Sequence, residues 1–143
     1  MSTEQNKAIM RRFVEVLNTG KFDQMGKFVD AKVVDHNPFP GQPPGLEGLK
    51  QVRSLIRKAF PDLRVAMEDI IVEGDKVVAR IVGHGTHKGE FMGVSPTGKK
   101  VPITAIYIVR VAGGKIVELW AEFNSLELMQ QLGAIPSPKQ TEK

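Results

Sequence analysis

The stretch GKIVELWAEFN, which ends at Asn124, carries side chains whose types and spacing suggest chemistry. If this stretch is a β-strand, residues two apart share one face. That predicted face holds Ile116, Glu118, Trp120, Glu122 and Asn124. Two carboxylates are costly in an ordinary core, and the only tryptophan of the chain is poorly used on an ordinary surface. The pattern favours the polar floor of a ligand pocket.

The acid and the amide on this face differ in what they can do. Desolvation in an apolar pocket raises the pKa of a carboxyl group, which makes Glu122 a candidate base near neutral pH. Glu122 could instead face solvent or pair with an arginine. The amide of Asn124 cannot shuttle a proton, but it can donate a hydrogen bond to a carbonyl or an oxyanion. Because Asn124 directly precedes SLELMQQL, it is equally a candidate helix N-cap.

Three histidines are further candidates for acid–base chemistry. His36 lies between Asp35 and Asn37 in a proline-rich segment, where it could act as a donor or acid, or anchor the loop. His84 and His87 are three residues apart, so a regular strand places them on opposite faces, although a bulge at Gly85 could bring them together. His87 shares the aliphatic face and is the better candidate for lining a pocket. The histidines lack the spacing of a metal centre, and we expect no metal site.

Other side chains are candidates for binding an apolar ligand. Tyr107 lies mid-strand on the face of Ile103 and Ala105, so its hydroxyl either bonds within the core or points into a cavity. Trp120 is predicted to be a pocket wall or a core residue, and methionines could line an adaptable pocket or simply fill the core. The predicted substrate-binding residues are Asn37, Phe39, Met92, Tyr107 and Trp120.

Helical periodicity dominates the first 60 residues. Ser2 or Thr3 can cap a first helix, and Gly20 can end it. A short helical stretch is predicted over 22–29. The segment from Val33 to Gly48 contains four prolines and three glycines, which favours a loop. A further helix is predicted over 46–60, ended by the proline that follows.

Strand signals follow the helices. Segments 64–91, 99–111 and 114–123 are rich in Val and Ile and are separated by tight turns, so an antiparallel sheet is predicted. Gly83 and Gly85 suit a strongly bent sheet. A last helix is predicted over 125–132. This order predicts an α+β domain whose curved sheet leaves a pocket beneath a helix.

Composition restricts the class of protein. The chain has 143 residues, 41% hydrophobic and 25% charged, which is typical of one soluble domain. It lacks cysteine, an apolar run of membrane-spanning length and a secretory signal, so we expect a cytoplasmic protein that does not bind membranes. The net charge of +4 is spread over scattered residues with few aromatics, which argues against nucleic-acid binding. We expect one domain over 1–135 and a flexible tail over 136–143.

Six short motifs, in order along the chain, resemble the SnoaL-like polyketide (ester) cyclase family. They are VVDHNP, GLEGLKQ, AFPD, GTHKGEFMGVSPTGKKV, GGKIVELW and LMQQLG. That family belongs to the superfamily of nuclear transport factor two and ketosteroid isomerase. The resemblance implies a cystatin-like α+β barrel, in which a cone-shaped, curved antiparallel sheet wraps around N-terminal helices. It also implies an apolar pocket, a homodimer formed through the sheet, and no metal or organic cofactor.

The resemblance also bears on the catalytic residues. In the founding members an aspartate four residues after the tryptophan is the acid and base of an intramolecular aldol closure; here that position is Asn124. The predicted catalytic set is therefore Asn124, Glu122, His36 and His87. Two functions follow as alternatives. One is a cofactor-independent cyclase, isomerase or lyase acting on a small, apolar, oxygenated molecule. The other is a non-catalytic module that binds such a molecule and has lost the aspartate.

Overall fold

Three α-helices, one 3₁₀ helix and five β-strands build residues 2–136, the part of the chain that the computed structural model describes. The elements are, in order, α1 (Thr3–Thr19), the 3₁₀ helix (Phe22–Lys27), β1 (Val29–Asp35), α2 (Gly45–Ala59), β2 (Arg64–Glu73), β3 (Lys76–Thr86), β4 (Lys100–Ala112), β5 (Lys115–Phe123) and α3 (Ser125–Gln131). Among these residues, no helix combines the length and the apolar character that a membrane-spanning segment requires. Residues 137–143 of the predicted tail lie outside the described residues.

The five strands form one sheet in the order β1-β5-β4-β3-β2. Strands β2 to β5 are antiparallel neighbours, as predicted. Strand β1 adds a parallel edge to β5, with Asp35 opposite Leu119. The predicted α+β class and the curved sheet with helices are confirmed.

Strand β1 was not predicted from the sequence. The helix predicted over 22–29 is a 3₁₀ helix that stops at Lys27, and the loop predicted from Val33 begins only after Asp35. The pairing of β1 with β5 is irregular between Val29 and Val34, and the buried residues of β1 do not alternate. Without a period-two pattern, this strand carried no recognisable signal.

The helices pack on the concave face of the sheet. Helix α1 begins with a capping box in which the Ser2 hydroxyl accepts a hydrogen bond from the backbone N–H of Gln5, and it ends at Gly20 with φ +73°. Asn18 bonds both backbone groups of Val65, at 2.8 and 2.9 Å, so the end of α1 is fixed to β2. These contacts hold the helical layer at a defined distance from the sheet.

A β-bulge in β5 decides which side chains face inward. Val111 of β4 pairs with Ile116, but the neighbouring Arg110 pairs with Glu118, so Val117 is an extra residue. The bulge reverses the alternation beyond it. Ile116 faces the core, yet Glu118 faces away, and the prediction that the two share a face is wrong.

Candidate active site

A cavity of about 80 Å³ lies between α2 and the concave face of the sheet. Its walls are mainly apolar and include Phe60 from the end of α2 and the β4 residues Ile103 and Ala105. Strand β5 contributes the three residues that alternate inward after the bulge: Leu119, Ala121 and Phe123. The polar residues of the lining are Asp35, Asn37, Gln42, Arg53 and Tyr107. A few convergent polar groups in an apolar cavity are typical of a small-molecule site.

Asp35, at the end of β1, provides the carboxylate of this cavity. One of its oxygens, Oδ1, accepts a hydrogen bond from the backbone N–H of Asn37 at 2.9 Å. The other, Oδ2, accepts one from Nε2 of Gln42 at 2.9 Å. Each carboxylate oxygen has a second lone pair, so the two bonds fix the group and leave it able to accept a proton. The sequence offered Asp35 only as a neighbour of His36, and the missed strand concealed its position.

The loop between β1 and α2 orients this carboxylate. The side-chain oxygen of Gln42 accepts a hydrogen bond from the backbone N–H of Phe39 at 3.1 Å, which directs its NH₂ group towards Asp35. The side-chain oxygen of Asn37 accepts one from the backbone N–H of Ala121 at 2.9 Å, which ties the loop to β5. The loop is therefore preorganised by hydrogen bonds at both ends.

A cation and a phenol line the same cavity. Arg53 of α2 is 6% exposed, and its guanidinium carbon lies 4.6 Å from the ring centroid of Phe13 and 5.8 Å from that of Tyr107. Tyr107 packs edge-on against Phe13 at 5.5 Å. Tyr107 lies on the same face of β4 as Ile103 and Ala105, which also line the cavity. Arg53 was not predicted, because one arginine in a helix of charged residues gives no sequence sign of burial.

Asn124 does not line the cavity. Its side-chain oxygen accepts a hydrogen bond from the backbone N–H of Thr104, and its NH₂ group donates to the backbone carbonyl of Pro102 and to Glu127. The residue directly precedes α3, but its side chain makes no capping bond to that helix. In this arrangement the amide joins β4 to the start of α3.

The side chains that first suggested chemistry form a cluster on the opposite face of the sheet. The His36 ring stacks on Trp120 with centroids 4.5 Å apart and lies 2.9 Å, Nε2 to Oε2, from Glu118. Glu118 also pairs with Arg110, and the ammonium of Lys76 lies 5.3 Å from the centroid of Trp120. The β5 face that carries Glu118 and Trp120 therefore holds a cluster of ion pairs and stacked rings, and this cluster lies on the side of the sheet away from the cavity.

This cluster predicts a dependence of stability on pH. The hydrogen bond from Arg110, and next that from His36, hold the pKa of Glu118 below its ordinary value. A lowered carboxyl pKa stabilises the fold above the unfolded-state pKa, about 4.3, and this contribution is lost as pH falls through the lower folded value. We expect Glu118→Gln to lower Tm at neutral pH and to flatten the loss of Tm below about pH 4.3. Equal acid sensitivity in both proteins would contradict this account.

The remaining predicted site residues are also outside the cavity lining. His87 is completely buried, and its Nδ1 accepts a hydrogen bond from the backbone N–H of Thr97 at 3.2 Å, which closes the loop after β3. Met92 is 49% exposed, and Glu122 is exposed on the same face as Trp120. Of the predicted residues, the structure brings Asn37, Phe39 and Tyr107 to the cavity. The other predicted site residues do not line this cavity, so chemical roles for them stay predictions.

The chain is similar in sequence and in fold to known polyketide cyclases. A model of the SnoaL-like polyketide cyclase family matches residues 7–132. The chain is 30% identical over 142 residues to aklanonic acid methyl ester cyclase DnrD of Streptomyces peucetius, covering 93% of this chain and 92% of that protein. The structure of TsrD from Streptomyces laurentii has a TM-score of 0.86 at 26% identity, over 94% of this chain and 99% of that chain. A SnoaL-like polyketide cyclase from Agrobacterium tumefaciens has a TM-score of 0.76 at 27% identity, over 93% and 100%.

Proposed function

The chain belongs to the SnoaL-like polyketide cyclase family, and we propose that it is a cofactor-independent enzyme of the cyclase or isomerase type with Asp35 as its acid–base residue. The observation that carries this proposal is the fixed Asp35 carboxylate in the lining of a mainly apolar cavity. Its substrate is a small, largely apolar molecule with a ketone- or polyketide-like carbonyl group. The same fold hosts many activities, so the site and not the fold supports the assignment.

The proposed reaction begins with removal of a proton from a carbon next to a carbonyl group. The Asp35 carboxylate takes the proton, and the electron pair of the C–H bond becomes the enolate. Tyr107 supplies a hydroxyl in the same cavity that can donate a hydrogen bond to the enolate oxygen. In an isomerisation, the protonated Asp35 returns the proton to another carbon. In an aldol closure, the enolate carbon attacks a second carbonyl, and the resulting alkoxide takes the proton.

The proposed base differs from the family's aspartate in position. That aspartate would lie where Asn124 stands, at the end of β5, and an amide there cannot accept the proton. Asp35 lies at the end of the neighbouring strand β1, which pairs with β5. The cavity lining thus receives a carboxylate from the neighbouring strand, whereas the Asn124 side chain lies outside that lining.

Deuterium exchange tests the proposal without knowledge of the natural substrate. A panel of small ketones, keto esters and keto acids is incubated in D₂O, and exchange next to the carbonyl is followed by NMR. We expect the protein to accelerate exchange of at least one compound, with a pH profile that reports one essential carboxylate. A panel with no accelerated exchange contradicts the enzyme proposal.

The alternative is a module that binds such a molecule without transforming it. It is favoured by the side chain of Asn124, whose three hydrogen bonds to Thr104, Pro102 and Glu127 give it a structural part. Saturable ligand binding without accelerated exchange would support this alternative.

We also propose a homodimer formed through the outer face of the sheet. Ile71, Val78, Ile108 and Trp120 are successive cross-strand partners that form an apolar stripe on this face. Ile106, which is 47% exposed, lies between its cross-strand neighbours Arg80 and Glu122. A second copy related by twofold symmetry would cover the exposed Ile106 and the apolar stripe with the same residues of its own sheet.

Ile106→Glu is expected to convert this dimer into a monomer. The new carboxylate would be desolvated at the interface and would lie opposite Glu122 of its own sheet. The mass is measured by light scattering after size-exclusion chromatography. Leu55→Glu, at a 59% exposed position on α2, is the matched control and should leave the dimer intact. A monomeric wild-type protein would overturn the proposal.

A further inference from the structure

Arg53 is a buried cation without a protein counter-ion among residues 2–136. It is 6% exposed, and its Nε has no hydrogen-bond partner. Its guanidinium lies over the faces of Phe13 and Tyr107. The carboxylate of Asp35 lines the same cavity, but its recorded bonds go to Asn37 and Gln42.

Three other arginines of the sheet and helices are satisfied by the protein: Arg57, Arg80 and Arg110. Arg80 pairs with Asp69 at 2.6 Å, and Arg110 pairs with Glu118. Arg57, one helical turn from Arg53 on α2, donates to the backbone carbonyl of Leu17 at 2.8 Å. An arginine keeps its charge at all ordinary pH values, so burial without a partner is unfavourable. A group of this kind that lines a cavity is suited to an anionic ligand.

We propose that the cavity binds a small carboxylate, whose anionic group is the counter-ion of Arg53. The planar guanidinium matches a carboxylate through two parallel hydrogen bonds. Combined with the proposed acid–base chemistry, on which this inference rests, the substrate class is a compact keto acid. Its carboxylate binds Arg53, and its acidic C–H faces Asp35.

Cavity size supports a compact ligand. The volume of about 80 Å³ is well below the roughly 150 Å³ of an engineered cavity that holds benzene. A small acyclic acid fits this space better than a ring system. The relative DnrD is named for a methyl ester, a group without charge. A free carboxylate would therefore distinguish the substrate of this chain from the methyl ester for which DnrD is named.

Thermal shift and calorimetry with acetate, pyruvate and levulinate test the proposal. We expect at least one of these carboxylates to raise Tm by roughly 5–10 °C at a concentration about 100 times its Kd. Where levulinate is that ligand, its uncharged isostere 4-oxopentanamide should give no comparable shift. Failure of all three carboxylates to bind, or equal binding of levulinate and the amide, overturns the proposal.

Arg53→Met separates an anion-binding role from a structural one. We expect the variant to bind the carboxylate about 30-fold or more weakly, while its ligand-free Tm is equal to or above that of the wild type, because an unpaired buried charge is removed. A lower ligand-free Tm with unchanged carboxylate affinity would show that Arg53 serves only packing and overturn the proposal. Arg64→Gln, at an exposed position, is the matched control and should bind as the wild type does.

Two further measurements keep the test decisive. If Arg53→Met does not fold, Arg53→Lys retains the charge without the planar fork and should bind the carboxylate more weakly. In the wild type, the Arg53 Nε–H resonance should shift on addition of the carboxylate, and an unshifted resonance in the bound state overturns the proposal. Asp35→Asn should still bind the carboxylate, so failure of carboxylate binding and failure of Asp35 catalysis are separate results.

Discussion

Asp35→Asn is expected to lower the enzyme-catalysed exchange rate by about 100- to 10,000-fold, the contribution typical of a positioned general base. The substitution keeps the size of the side chain and removes its basicity. The two carboxylate oxygens accept hydrogen bonds from the side chain of Gln42 and from the backbone N–H of Asn37, and the new NH₂ group can accept neither, so one bond is lost and unfolding is measured in parallel. Loss of exchange with retained Tm and retained ligand binding assigns the proton transfer to Asp35.

Glu122→Gln is the matched control for this experiment. Glu122 is a carboxylate near the end of the strand that neighbours β1, but it is exposed on the face turned away from the cavity. We expect the variant to keep the full exchange rate. The reverse result, an inactive Glu122→Gln and an active Asp35→Asn, would transfer the base to Glu122 and contradict the proposed site.

The elements with strong local signals were predictable from the sequence. The capping box at Ser2, the stop at Gly20 and the proline after α2 act within one helical turn, so they set helix ends whatever the rest of the chain does. Strand β4 alternates regularly between a buried and a solvent-facing side, which placed Tyr107 on the inward face. The motifs that resemble the family span the same elements, and the family model matches residues 7–132.

Two features determine which side chains reach the cavity, and neither can be recognised from the sequence around it. The bulge at Val117 reverses every later side chain of β5, so Glu118, Trp120 and Glu122 leave the face on which period-two counting places them. Strand β1 forms by pairing with a strand more than 80 residues later in the chain, and this pairing delivers Asp35 to the cavity. A shift of the strand register by one residue, like the pairing of two distant strands, depends on how the whole sheet packs. The sequence next to the strand does not determine either of them.

Gly48→Ala is expected to reduce both stability and activity, although alanine is the better helix former. Helix propensity alone would favour the substitution by about 1 kcal/mol. A Cβ at this buried position of α2 would lie 1.7 Å from the backbone oxygen of Pro43 and 3.1 Å from Cγ of Gln42. Because the first of these atoms is backbone, the loop must move away from the helix. We expect a loss of about 2–4 kcal/mol in the free energy of unfolding, measured by urea denaturation.

The same displacement of the loop should move Gln42, whose side chain donates a hydrogen bond to the Asp35 carboxylate, and should therefore change the orientation of that carboxylate. We expect exchange activity to fall in Gly48→Ala even where the protein is fully folded, because a base held in the wrong orientation loses much of its effect. Gly26→Ala is the matched control, since its Cβ would meet a Leu46 methyl group at an ordinary 3.6 Å. A Gly48→Ala variant as stable and active as Gly26→Ala would show that the loop does not depend on this close approach, and that Asp35 is positioned by β1 alone.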